Sequence, residues 1–193
     1  MTRTWMALGL VGFVTGCSGA IAPPIGGGDS GTDGAVNDSG GPDVFVACPS
    51  TTIGQSIYGT CIDSIRVFDE SGGGFGPPPP QGSECSFPGS TYVYTLATGA
   101  ETANICTDPG NQQPYKQTQS ARTLSPAAQS GVLAALKNVK VTSSAGCVSD
   151  GPTLTLTVTA KGVDTVFGDS KISACQGTPV DGIAGVTTAL QAK

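Results

Sequence analysis

The chain contains no histidine. That absence removes Ser-His-Asp and Cys-His nucleophile activation, and with them every metal site that needs an imidazole. The single tryptophan, Trp5, lies in the first apolar segment, and aromatics make up only 6% of the sequence, so an aromatic-lined glycosidase cleft is not expected. Charged residues are also scarce, at 12%, with 9 Lys and Arg against 14 Asp and Glu. A net charge of −5 without a basic cluster argues against nucleic acid and anionic lipid headgroups as partners. No two cysteines stand in a Cys-x-x-Cys pair, so thioredoxin-type and zinc-ribbon chemistry lack their spacing.

Ser-Lys catalysis, paired carboxylates and an oxygen-only metal site survive the absence of histidine. Ser-Lys catalysis needs a lysine close to a serine and buried enough to lose its proton. None of Lys116, Lys137, Lys140, Lys161, Lys171 or Lys193 stands in Ser-x-x-Lys, and Lys161 and Lys171 lie near turns, where they stay solvated. Paired carboxylates would come from Asp63, Asp69, Glu70, Glu84, Glu101, Asp108, Asp150, Asp164, Asp169 and Asp181. Asp108 and Asp150 sit in Asp-Pro-Gly and Asp-Gly-Pro turns, where the carboxylate bonds its own backbone. A phosphate-cradling loop must lead into a helix, but the glycine run at 72–76 leads into prolines. The expectation is therefore a non-enzyme that needs no cofactor and no metal.

What is present begins at the N-terminus. Arg3 supplies a positive charge, and the apolar run Trp5 to Val14 follows it. About ten residues of helix cannot span roughly 30 Å of hydrocarbon, and a charged start, short apolar centre and small residues form the layout of an export signal. The run ends Val14-Thr15-Gly16-Cys17. This tetrapeptide resembles the lipobox of bacterial lipoproteins, and the resemblance covers residues 1–17 alone. It implies cleavage after residue 16, a diacylglycerol thioether on Cys17 and acylation of the new amine, so that the partner of Cys17 is a lipid bilayer. More than one acyl chain makes such anchoring stable. Ser18 in place of Asp implies, by the same resemblance, sorting to the outer membrane. A plain secretory peptide cut after Ala20 or Ala22 is the alternative.

Seven cysteines become six once Cys17 is assigned to lipid: Cys48, Cys61, Cys85, Cys106, Cys147 and Cys175. An even set in an exported chain implies three disulfides, in any of 15 pairings.

Residues 17–43 carry the lipidated cysteine and a stretch of Gly, Ser, Pro and Asp with few large apolar groups. Such a stretch cannot bury enough surface to offset its ordering entropy, so a disordered tether is expected, reaching roughly 25–30 Å. Its regular aspartates, Asp29, Asp33, Asp38 and Asp43, lack the alternate-position oxygens and closing Glu of a calcium loop.

Residues 44–193 form a single expected domain, interrupted by a Gly/Pro-rich loop at 71–82. Strand patterns occupy Cys61–Glu70, Thr91–Thr98, Thr102–Thr107 and the polar Tyr115–Thr123. The clearest strand is Thr153–Ala160, whose period of two places Leu154, Leu156 and Val158 opposite a row of threonines. Lys161-Gly162 offers a two-residue turn into Val163–Phe167, and the register of that hairpin carries Cys147 nearly opposite Cys175. A Cys147–Cys175 bond is therefore predicted, with Cys48–Cys61 and Cys85–Cys106 favoured by proximity. A helix is expected from Ser125-Pro126 to about Asn138, and another after Asp181 with Ile183, Val186 and Leu190 on one side. The fold class expected is α+β, a small antiparallel sheet with two helices on one face, braced by disulfides.

The functional expectation is a membrane-anchored envelope lipoprotein with a non-catalytic binding or structural domain, whose partner is an unknown envelope protein or polymer. One alternative is an inhibitor of secreted proteases that presents Asp108–Gln119 as an extended loop. The other is a carboxylate-dependent hydrolase. The threonine row Thr153, Thr155, Thr157 and Thr159 suggests a half-exposed strand rather than an ice-binding face, which needs several stacked rows.

Overall fold

A computed structural model describes residues 48–70, 78–143 and 152–193, all within one compact unit, Val44–Lys193. The predicted tether, Cys17 and Cys147 lie outside the described residues.

Strands β1 (Ile62–Glu70), β2 (Gly89–Thr95), β3 (Ala100–Thr107) and β4 (Lys116–Thr123) form an antiparallel meander. Helix α1 (Pro126–Asn138) and the short β5 (Lys140–Val141) follow it. The chain continues through β6 (Thr153–Ala160), β7 (Val163–Asp169), a 3-10 turn at Ala174–Gln176, β8 (Thr178–Asp181) and α2 (Ile183–Gln191). One sheet of eight strands results, in the order β4-β3-β2-β1-β6-β7-β8-β5. It is larger than the small sheet expected, and not wholly antiparallel, because β7 and β8 run parallel.

That parallel pair escapes sequence reasoning because its connection is unusually short. A parallel return normally needs a dozen or more residues. Here the 3-10 turn folds tightly onto β7, where a side chain at Gly168 would collide with the Ser173 carbonyl and one at Gly177 with the Val166 carbonyl. The β6–β7 hairpin is as expected: Lys161 and Gly162 both have positive φ, 52° and 77°, as a type I′ turn requires.

Alternation decides what each strand buries. Ile65 stands opposite Tyr94 and Val158, and Val67 opposite Tyr92 and Leu156, so one face of β2, β1 and β6 is a continuous apolar stripe. Val132 and Leu136 of α1, and Ile183, Val186 and Leu190 of α2, join the same buried cluster. The two helices pack on one another, and α2 touches β1 and β6.

Helix α1 starts as its sequence predicts: the Ser125 hydroxyl accepts from the Ala128 amide at 3.3 Å, and Pro126 occupies the first turn. Helix α2 does not. Its cap is Gly182, with φ 103°, while Asp181 belongs to β8 and accepts a hydrogen bond from the Ser170 hydroxyl at 2.5 Å.

Among the described residues two disulfides have both partners in place, Cys48–Cys61 and Cys85–Cys106, with Cα–Cα separations of 6.2 and 6.1 Å. Cys175 is disulfide-bonded as well. The partner expected for it, Cys147, lies outside the described residues.

Candidate functional site

The face of the sheet turned away from the apolar stripe carries a different chemistry. Cross-strand register lines up Thr155, Phe68, Thr91, Asn104 and Gln119 in one row, and Thr157, Arg66, Val93, Thr102 and Ala121 in the next. Arg66, Phe68, Thr102, Asn104, Gln119 and Ala121 are exposed. Phe68 alternates with Val67 on β1, so period two places it among polar residues, where it stays 38% exposed.

At the β1–β3 end this face is hollowed into a cavity of about 220 Å³. Its lining includes Phe68, Glu70, Phe87, Asn104, Gln117 and the Cys85–Cys106 bridge. The bridge ties the segment that follows the proline loop to β3 and so positions Phe87, which is 50% exposed. A shallower trough of about 480 Å³ adjoins it over Val93, Thr102, Gln119 and Ala121. The two share Thr91 and Asn104, so a single groove crosses β2, β3 and β4.

The amide chemistry of this groove is half committed. Gln117 Nε2 donates to Asn104 Oδ1 at 2.8 Å. That bond ties the two side chains together and leaves the Asn104 Nδ2 as a donor and the Gln117 Oε1 as an acceptor for another polar group.

The carboxylates are dispersed. Glu101 is buried and paired with Arg122 at 2.9 Å. Glu84 accepts from the Gln117 amide at 2.9 Å and lies 3.2 Å from Lys116, which in that order hold its carboxyl below the usual range. Asp63 accepts from the Lys161 amide, Asp108 from Gly110, Asp169 from Lys171, and Asp164 from the Thr159 hydroxyl. Burial pushes the Asp69 carboxyl up, and burial likewise raises the Tyr94 phenol. Asp69 lines a further cavity of about 350 Å³ with Tyr92 and Gln191, which meets the first at Gly89, Ser90 and Cys106 from the other side of the sheet edge and in which Gln191 donates to the Tyr92 hydroxyl at 3.2 Å. Asp69 and Glu70 are neighbours in sequence, yet strand alternation sends them to different cavities, one acid in each. Asp150 lies outside the described residues. Among the described residues no three of His, Cys, Asp or Glu gather as metal ligands.

The segment proposed as an inhibitory loop is curled rather than extended. Gly110, Asn111 and Gln112 have φ of 79°, 54° and 58°, the Gln113 amide donates back to Gly110, and Lys116–Gln119 are paired within β4. The threonine row is half covered: Thr153 and Thr155 are each 8% exposed, and Thr153 accepts from Gln176 on the 3-10 turn at 3.2 Å.

Sequence reasoning missed Phe68, Phe87, Asn104 and Gln117. One signal was available, since an aromatic at Phe68 breaks the polar side of β1's alternation. Nothing in the spacing of the other three brings them to the same place. No family model, curated protein or solved structure matches the chain.

Proposed function

We propose that the protein is a membrane-anchored envelope lipoprotein whose domain is a non-catalytic binding module, and that the groove across β2–β4 is its binding surface. The observation that carries this reading is the groove itself, two adjoining depressions that keep Phe68 and Phe87 open to solvent on a face that mixes Asn, Gln and Thr with small apolar groups. Exposed aromatics beside convergent polar groups characterise binding sites. The acids support a non-catalytic role, since most of them serve turns and strand edges. Anchoring rests on the export signal and the Val-Thr-Gly-Cys17 tetrapeptide.

We further infer that both helices cover the opposite face of the sheet. Their buried residues share one cluster with Ile65, Val67, Leu156 and Val158, which alternate away from Arg66 and Phe68. That arrangement leaves the groove face free.

The test is site-specific photo-crosslinking in intact cell envelopes, with the photoreactive residue at Thr102 in the groove or, as control, at Ile53, exposed at the far edge of the domain. A discrete adduct specific to Thr102 supports the reading. Equal labelling at both positions, or none, overturns it.

A further inference from the structure

We propose that the groove binds a neutral polysaccharide, with one sugar ring at the Phe68–Phe87 end and further units crossing Thr91, Val93 and Thr102. The proposal rests on the reading of this face as a binding surface and names its ligand class.

Size comes first. A cavity of about 220 Å³ falls below the roughly 300–1,000 Å³ of clefts that enclose drug-sized molecules, and suits a single ring. The adjoining trough shares Thr91 and Asn104 with it, so an occupant that fills one runs on into the other. An extended, repeating molecule fits that continuity better than a compact one.

The lining chemistry selects the class. A sugar ring has apolar C–H faces and a polar rim of hydroxyls. Phe68 and Phe87 offer apolar surface, while Asn104 and Gln117, held by their mutual hydrogen bond, present a donor and an acceptor fixed relative to each other. Rigid paired amides match vicinal hydroxyls, and Thr91 and Thr102 add rotatable ones.

Charge narrows it. Among the described residues Glu70 is the one ionisable side chain lining either depression, and the exposed Arg66 opposite Val93 offsets it, so the groove face has no net charge with which to attract uronic acids or phosphate-bearing polymers. A peptide strand is disfavoured on other grounds. A strand could add only along the outer edge of β4; over the groove itself the backbone groups of β2 and β3 are engaged on both sides by neighbouring strands. An occupant lying on that face is therefore met by side chains.

The experiment is native affinity electrophoresis of the full chain, solubilised in detergent, through gels containing dextran, mannan, galactan or xylan, with polygalacturonate as the anionic control. Retardation by at least one neutral polymer and none by polygalacturonate is expected. Phe87→Ala and Asn104→Ala each weaken the retardation at least tenfold, while Ile53→Ala leaves it unchanged; thermal melts check that every variant is folded. All three positions are exposed, so their truncation spares the core. No retardation by any neutral polymer, retardation by polygalacturonate alone, or full binding by both groove variants overturns the proposal. A Thr102 crosslink to a protein, combined with no retardation, removes the sugar and leaves the binding surface standing. Absence of both removes the surface as well.

Discussion

Arg122 on the edge strand β4 stands directly opposite Glu101 on β3, with its Nε 2.9 Å from a carboxylate that is 3% exposed. The same guanidinium donates to the backbone carbonyl of Leu190 and so ties the end of α2 to the edge of the sheet. Removing one partner of a buried ion pair strands the other's charge. Arg122→Met is therefore expected to destabilise the domain by about 2–3 kcal/mol, below the full cost of a wholly buried pair because Arg122 is itself over a third exposed. Glu101→Leu added to it recovers most of the loss. Urea denaturation of the single and double variants checks this, and a double variant less stable than the single one contradicts it.

Asp69 gives a pH signature. Burial raises its carboxyl above the ordinary value of 3.8, so the folded state binds a proton that the unfolded state has already released. Stability from this group is present in acid and declines as pH rises through the folded value. Asp69→Asn removes the cost of burying the charge. It should raise the melting temperature at neutral pH, with a gain that fades to nothing below about 3.8, the unfolded value. Melts recorded from acid to neutral pH decide it; a gain independent of pH assigns the effect to something other than ionisation.

The Cys85–Cys106 bridge closes a loop with a sequence separation of 21. Replacing both cysteines by alanine should cost about 2–4 kcal/mol in chemical denaturation. Because the bridge lines the groove beside Phe87, the same variant should also lose binding there while keeping its fold at low temperature. Unchanged affinity in the bridge-less protein means that Phe87 is positioned by other contacts.

Lipid anchoring is checked by the intact mass of protein extracted from membranes, with free thiols alkylated before reduction. A mass equal to residues 17–193 plus a di- or triacyl group, and no alkylated cysteine, is expected. Cys17→Ser should release the domain into the soluble fraction. A lipid-free mass, or a start at a later residue, makes it a secreted protein instead.

Much of the domain was legible because its signals are local. Period-two alternation in Thr153–Ala160, the left-handed Lys161-Gly162 turn and the Ser125-Pro126 start each depend on neighbours a few residues away. The elements that went unseen depend on distant partners. Strands β5 and β8 are two and four residues long and exist through each other and through β7, and Gly182 rather than Asp181 begins α2 because the short β8 claims the aspartate.

The division is sharpest at the groove. By itself the sequence determined that histidine-dependent chemistry is absent and that alternating strands dominate the domain, and its Val14-Thr15-Gly16-Cys17 tetrapeptide is what the proposal of export and anchoring rests on. Only tertiary structure decided that Phe68, Phe87, Asn104 and Gln117 share one hollow, with a disulfide holding its wall. Alternation tells which side of a strand a residue faces, but cross-strand register and loop closure decide which residues become neighbours, and both are set by the whole sheet at once.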